Sequence, residues 1–323
     1  MTKKEEGKKA IPEKQPAKVI SLDEYRKGRV ERQVSGKTSN GVKKMGTAGH
    51  PTGQSANLSA SQSRVSYEVG GEHGSVDDIL EKFRMAEYLI TIAMSVGDNE
   101  EKIGIAEEAL KTFPDFTSAY NILAEFKAQD SNERLAYYQK GIEAWERFHE
   151  FLEYESSVRN SEPDLAPYFT AMLGAAESLW SLKRFEESLV TYWTILKIEK
   201  HDLYGIRFII IARLLEFDKN EEFNELILTI PTEKSSVICW GKVLYYFRLG
   251  ELEDAVEELA TAMKESPRVA DYLIGLTTLP FEMPRYDELN KKSEQAWAAS
   301  LLSESWKSTT GASAWLKKSL PKN

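Results

Sequence analysis

Apolar residues recur at helical spacing from Ser75 to the end of the chain. Ser75 is a good N-cap, because two acidic residues follow it and acidic side chains suit the first turn of a helix. The apolar face of this first helix consists of Ile79, Phe83, Ala86, Ile90 and Ala93. No alternating pattern of useful length indicates a strand. The pattern therefore predicts an all-α fold from Ser75 onward.

The predicted helices come in pairs that are separated by short turns. The pairs are a helix from 75 to a turn at 97–99 with 101–112, 119–128 with 132–156, 168–182 with 185–198, 203–217 with 221–228, and two helices within 237–267 that are joined at 249–251. In two pairs a proline comes five residues after a close-packing alanine, as Pro114 follows Ala109 and Pro267 follows Ala262. This spacing of alanine and proline fits a helix–turn–helix repeat of about 34 residues.

The regular pattern stops after the fifth pair. The segment 279–284 reads Leu-Pro-Phe-Glu-Met-Pro, and its two prolines indicate a rigid, extended link. Helices follow over 291–307 and from 311 to 316, and we expect them to cover the last apolar face of the array. The predicted divisions are a tail at 1–74, N-terminal pairs at 75–160, central pairs at 161–275 and a helical C-terminal cap at 276–323.

Residues 1–74 are predicted to be a disordered tail. They are rich in Lys, Gly, Ser, Thr and Gln, and they cannot bury enough apolar surface to offset the entropy lost on ordering. One island at 18–27 combines a capping box of Ser21 and Glu24 with a compact apolar set. That set is Val19, Ile20, Leu22 and Tyr25. The island is either a transient helical turn or a short motif that docks on a partner protein.

Charge divides the chain unevenly. Residues 1–50 carry 13 Lys+Arg and 6 Asp+Glu, a net charge of +7, and the remainder carries −16, which together give −9. A basic tail of this kind would either fold back electrostatically or reach an anionic partner. The single cysteine, Cys239, cannot form an intramolecular disulfide, which fits a reducing compartment and predicts a cytoplasmic protein. No apolar run approaches the roughly 20 residues that span a bilayer, so no membrane contact is expected.

Catalytic chemistry finds little support in the sequence. There is no Walker-type loop and no Gly-x-Gly-x-x-Gly after a strand. The four histidines, His50, His73, His149 and His201, have no recognised metal-ligand spacing. Cys239 lies among apolar residues on a helix, so we expect it to pack rather than to react. The sequence therefore predicts a non-enzymatic protein without a cofactor or a metal.

The pair at 237–267 resembles a tetratricopeptide repeat (TPR). The resemblance rests on the two helix lengths, on Ala255 and Ala262 at the close contact, and on Pro267 at the stop. The region 168–316 also resembles bacterial TPR proteins that are distantly similar to the suppressor-of-tumorigenicity family. The segments that carry this second resemblance are 175–180, 201–207, 266–273, 279–284, and 306 with 310–316. The resemblance implies an α-solenoid of helical hairpins that acts as a scaffold.

In TPR proteins the first helix of each pair lines a concave surface, and the resemblance assigns such positions here. The predicted partner-binding residues are Glu177, Trp180, Arg207, Trp240, Leu244, Phe247 and Arg248. Trp, Phe and Arg are side chains that anchor interfaces. The alternative for Trp180 and Trp240 is to fill the core between repeats. The alternative for Arg207 is to pair with a core acid.

Two functions from different classes follow from these patterns. The first is a cytoplasmic TPR adaptor that binds a protein or peptide on its concave helical face, with self-association as a further expectation. The second is a nucleic-acid-associated regulator that uses the basic tail. Binding of that second kind would be largely non-specific and salt-dependent, because the tail lacks aromatic residues that stack on bases. An enzyme is the least supported class.

Overall fold

The computed structural model describes residues 68–69, 72–73, 75–154, 164–230, 234–284 and 286–320. Every described residue belongs to one compact unit within 64–323. The predicted docking motif of the tail therefore lies outside the described residues. Its members are Val19, Ile20, Leu22 and Tyr25.

Thirteen α-helices make up nearly all the regular structure of the described residues, which confirms the predicted all-α class. The first seven are α1 (Val76–Ser95), α2 (Asn99–Thr112), α3 (Thr117–Phe126), α4 (Ser131–Tyr154), α5 (Ala166–Ser181), α6 (Phe185–Ile198) and α7 (Ile206–Glu216). The other six are α8 (Asn220–Leu228), α9 (Ser236–Leu249), α10 (Leu252–Glu265), α11 (Arg268–Leu273), α12 (Lys291–Ser308) and α13 (Ala312–Ser319). A single 3-10 turn, Tyr286–Glu288, precedes α12.

Two short strands lie ahead of the helices. β1 (Glu68–Val69) and β2 (Glu72–His73) pair antiparallel, with Glu68 opposite His73. The sequence predicts an unstructured tail over 1–74, and these four residues of that range form a short two-stranded hairpin. Two residues per strand are too few to show the alternation by which a strand is recognised.

Local side-chain and backbone geometry fixes where helices begin. Ser75 and Asp78 form a capping box at α1, in which Ser75 Oγ accepts the Asp78 N–H at 3.2 Å and Asp78 Oδ2 accepts the Ser75 N–H at 3.0 Å. This confirms the predicted start of α1. Helix α7 begins three residues later than predicted, at Ile206. The reason is the left-handed backbone of Gly205 (φ 65°), which cannot belong to the helix that follows it.

Small residues stand where helices come closest together. The fully buried alanines at such contacts include Ala106, Ala109, Ala255 and Ala262. Gly174 of α5 makes a closer contact still, because an added Cβ would lie 2.1 Å from Cζ of Tyr138 in α4. Glycine at this position therefore allows the backbone of α5 to lie directly against the Tyr138 ring.

Most helices contact their neighbours in the chain, and α12 also contacts two helices that are distant in the chain. Successive helices contact each other from α1 to α8, and α9 contacts α10. Helix α12 contacts its neighbours α11 and α13, and it also packs against α7 and α9. Buried side chains from α5 to α13 share one core, and a second core lies within α1–α4. None of the helices in the described ranges is long and apolar enough to cross a membrane.

Candidate protein-binding surfaces

Helix α12 occupies the side of α9 that the sequence assigns to a partner. Trp240 of α9 is completely buried, and its ring meets that of Trp306 in α12 with centroids 6.2 Å apart. The indole N–H of Trp240 donates to the carbonyl and to the hydroxyl of Ser266, each at 3.1 Å. Leu244, one turn further along α9, is also fully buried. Trp240 therefore follows its predicted alternative, which is to fill the core.

Arg248, near the end of α9, joins that helix to α7 and α12. Its guanidinium donates to the Leu215 carbonyl at 2.6 Å, to the Thr309 hydroxyl at 2.9 Å and to the Ser305 carbonyl at 3.3 Å. Only 8% of its side chain is exposed, and the exposed carboxylate of Asp218 lies 2.9 Å from Nη1. Burial lowers the pKa of the Arg248 guanidinium, and Asp218 opposes that shift. Arg248 thus connects three helices.

Helix α12 also caps two neighbouring helices with its first turn. The Glu294 carboxylate accepts the backbone N–H of Ser236 at 3.0 Å, at the start of α9. The Gln295 side-chain carbonyl accepts the backbone N–H of Arg268 at 3.0 Å, at the start of α11. Both N–H groups belong to first helical turns, which have no partner within their own helix. The contacts of α12 are therefore part of the fold.

Phe247 completes the set of predicted residues on α9. It is half-buried, and its ring lies 5.2 Å from that of Trp315 in α13. The structure thus brings together four of the seven predicted residues and covers them with the chain's own C-terminal helices. Those four are Trp240, Leu244, Phe247 and Arg248. That these four residues bind a partner stays a prediction, and in this conformation a partner has little access to them.

Trp180 and Glu177 lie on α5, away from this cluster. Trp180 is nearly buried; its indole N–H donates to Glu216 at 3.3 Å, and the Arg213 guanidinium lies 4.4 Å from its ring centroid. Glu177 is the one exposed side chain among the seven, and its carboxylate accepts a long hydrogen bond of 3.4 Å from the hydroxyl of Tyr192. Burial raises the pKa of Tyr192, and the charge of Glu177 adds to the shift.

Arg207 pairs with a buried acid, which is the alternative to partner binding that the sequence analysis gave for it. Its Nε lies 2.8 Å from Oδ2 of Asp202. The Asp202 carboxylate also accepts the backbone N–H of Ile206 at 2.5 Å and that of Arg207 at 3.3 Å. One buried carboxylate therefore caps the start of α7 and holds the Arg207 side chain.

An open cleft of about 560 Å³ lies between α1 and α4. We call it the α1–α4 cleft. Helix α1 lines it with Leu80, Phe83, Glu87, Ile90, Thr91 and Met94, and α4 lines it with Trp145, Phe148 and Leu152. The segment 115–118, Asp164 and Pro167 complete the lining. The volume is within the range of about 300–1,000 Å³ that is typical of binding sites in proteins.

Aromatic rings form the floor of the α1–α4 cleft. Phe83 stacks on Phe148 with centroids 4.8 Å apart, and it meets Phe116 edge-on at 5.2 Å. Trp145 stacks on Tyr168 at 4.4 Å. Because each ring is held by another ring, the floor exists before any partner arrives.

The charged groups at the α1–α4 cleft are acidic. Glu87 and Asp164 are exposed there, and no Lys or Arg lines the cleft within the described ranges. Asp115 is balanced by Arg147, whose Nη2 and Nε donate to the same carboxylate oxygen at 2.6 and 2.9 Å. Glu87 and Asp164 therefore dominate the electrostatics of the rim.

The sequence analysis did not single out the α1–α4 cleft, although α1 carries two apolar stripes. Ile79, Ala86 and Ala93, spaced by seven residues, are buried in the core. Phe83 and Ile90 pack against the same core, as expected, and they also line the cleft. The available signal was a second stripe of Leu80, Phe83, Ile90 and Met94, which a single-faced helix does not need.

The described residues contain no group of His, Cys, Asp and Glu that could hold a metal ion. Cys239 is buried, and burial raises the pKa of its thiol to about 11. The thiol is therefore protonated near neutral pH, unlike a cysteine that acts as a nucleophile.

A scan of the chain against protein-family models gives no match, and a search of curated proteins gives no significant match. The resemblance to TPR proteins therefore stays a prediction from the sequence.

Proposed function

We propose that this protein is a non-enzymatic adaptor, built from TPR-like helical hairpins, that binds a segment of a partner protein in the α1–α4 cleft. The observation that carries the proposal is the apolar lining of that cleft, in which Met94 is exposed and Phe83 and Trp145 are half-buried. Contiguous exposed apolar surface is characteristic of sites where proteins meet other proteins. Helix contacts that run in chain order from α1 to α8 support the hairpin arrangement. The single, buried Cys239 supports a cytoplasmic setting.

The α1–α4 cleft is a better site than the surface of α9. Side chains on α9 already have partners in α12 and α13, and a ligand would have to displace the Trp240–Trp306 contact and the hydrogen bonds of Arg248. The floor of the α1–α4 cleft requires no such displacement within the described residues. Met94, at its edge, is 69% exposed.

Nucleic-acid binding is less favoured by the described residues. The acids Glu87 and Asp164 at the rim would repel a phosphate backbone, which proteins bind with Lys and Arg. The basic segment on which that alternative depends lies outside the described residues.

Two charge substitutions on α1 test the proposal. Met94 lines the cleft, whereas Met85 is 51% exposed on the same helix and does not line it. Affinity capture from the source organism, with the full chain, should recover a partner that Met94→Glu loses and Met85→Glu keeps. Circular dichroism of both variants should match that of the unmodified chain, because neither side chain is buried.

A partner set that is identical for the three proteins would contradict the proposal. Equal loss of partners in both variants would place the binding surface elsewhere on α1.

A further inference from the structure

We propose that the α1–α4 cleft selects a basic amphipathic helix, with apolar side chains against the aromatic floor and Lys or Arg beside the acids of the rim. This inference rests on the proposed function, and it adds the conformation and the charge of the bound segment. Three features of the cleft support this inference: the length of its walls, the hydrogen bonding of their backbone groups and the negative charge of the rim.

The walls have the length of a helix-binding groove. Leu80 and Met94, the outermost apolar residues of the α1 wall, are 14 residues apart, which corresponds to about 21 Å of helix. The facing wall on α4 presents Trp145, Phe148 and Leu152 at spacings of three and four residues. The apolar stripe on α1 can follow one face of a helix of about four turns, whose own anchors recur at the same spacing, and the shorter stripe on α4 faces about two turns of it.

The backbone of the walls favours a helical partner over an extended one. Both long walls are α-helices, whose N–H and C=O groups are bonded within the helix. They offer no strand edge to which an extended peptide could add. A segment that buries itself on this floor must therefore satisfy its own backbone groups, and a helix does so.

The negative charge of the rim determines which charge the bound segment should carry. Glu87 and Asp164 are exposed at the cleft, and none of the ion pairs in the described residues involves Glu87. The surrounding segment 75–154 carries 17 Asp+Glu against 8 Lys+Arg. The positive end of α3 also reaches the cleft, but it carries only about half a unit charge, which the two full negative charges of Glu87 and Asp164 outweigh. Complementary potentials steer and select partners, so a basic segment is favoured and an acidic one is rejected.

Three designed peptides of about 16 residues, or four turns, probe this inference against the full chain by fluorescence anisotropy. The first has leucines on one face and lysines on the other. The second keeps the leucines and replaces each lysine by glutamate. The third keeps the lysines and replaces each leucine by serine. We expect only the first peptide to bind, with an affinity that falls as salt is raised.

A matched pair of variants connects the binding to the rim. Glu87→Lys reverses a charge at the cleft, and Glu81→Lys makes the same change on an exposed residue of α1 that does not line it. Glu87→Lys should weaken binding of the lysine peptide by about threefold to tenfold, as expected for a partly exposed charge pair. Glu81→Lys should change it by less than about twofold.

Different outcomes overturn different claims. Equal binding of the lysine and glutamate peptides, or equal effects of Glu87→Lys and Glu81→Lys, would overturn the inference about charge. Absence of binding by any peptide would overturn it as well. In either case the proposed function would survive if Met94→Glu, but not Met85→Glu, still loses a natural partner.

Discussion

Arg248 donates a hydrogen bond of 2.9 Å from its Nε to the hydroxyl of Thr309, 61 residues further along the chain. The same guanidinium bonds to the Leu215 carbonyl of α7 and to the Ser305 carbonyl of α12. The end of α12 is therefore fixed to α7 and α9 through one cation. This arrangement explains why α9 presents no open groove, since its predicted binding side chains are part of the contact with α12.

Arg248→Met should destabilise the protein by about 2–4 kcal/mol, because it leaves two buried carbonyls without their charged donor. Arg248→Lys should recover only part of this loss, since an ammonium group cannot reach three acceptors with the geometry of the guanidinium. Asp218→Asn should cost less than about 1 kcal/mol, because the Asp218 carboxylate is 78% exposed. Urea unfolding of the three variants measures these differences.

An Asp218→Asn variant as unstable as Arg248→Met would contradict this account. The ion pair at the surface, and not the bonds to the carbonyls, would then hold Arg248 in place.

Gly174→Ala should destabilise the protein by about 1–3 kcal/mol, although alanine is the better helix former. The new methyl group would overlap the Tyr138 ring, whose hydroxyl donates to Glu125 and whose pKa is raised by burial and by that bond. Gly104→Ala is the matched control, because nothing lies within 4 Å of its added Cβ. It should stabilise the protein by about 0.5–1 kcal/mol. Thermal melts of both variants show whether each substitution destabilises or stabilises the protein.

A double substitution separates overlap from other effects at Gly174. In a Tyr138→Ala background the ring is gone, so Gly174→Ala should become neutral or stabilising. A loss that persists unchanged in that background would mean that the α4–α5 contact does not depend on the ring.

Local features of the sequence were sufficient for most of the helices. The Ser75 cap placed the start of α1, and the bounds of α6, 185–198, were predicted without error. The start of α7 was misplaced because apolar residues continue through 203–206, while the chain turns there with positive φ at Asp202 and Gly205. Spacing alone does not reveal such a turn.

The positions of the candidate sites depended on long-range packing, which periodicity does not contain. The first helix of a hairpin has the same residue pattern whether its outer face is an open groove or is covered by another helix. Trp240 is covered because the chain returns after α11, and Trp306 of α12 then packs against it. Phe83 lines the α1–α4 cleft, where Phe148 of α4 stacks on it. In both cases the decisive contact joins residues more than 60 positions apart.

Cys239 offers a test of the core that needs no assumption about partners. The side chain is 4% exposed, and the pKa of the thiol is raised from its ordinary value to about 11, mainly by burial and then by the charge of Glu258. At pH 8 the folded protein should therefore resist a thiol-specific reagent such as 5,5′-dithiobis(2-nitrobenzoate), because the thiolate is scarce and hidden. In guanidinium chloride the same single thiol should react within minutes.

The raised pKa of Cys239 also has a consequence for stability at alkaline pH. The thiol ionises in the unfolded chain near pH 9 but not in the folded protein until about pH 11, so folding free energy is lost as the pH rises through this interval. The loss should reach about 1–2 kcal/mol at pH 10. Cys239→Ala removes this titration, so the gap in unfolding free energy between the two proteins should change between pH 8 and pH 10. A constant gap, together with rapid labelling of the folded protein at pH 8, would show that α9 does not bury this face.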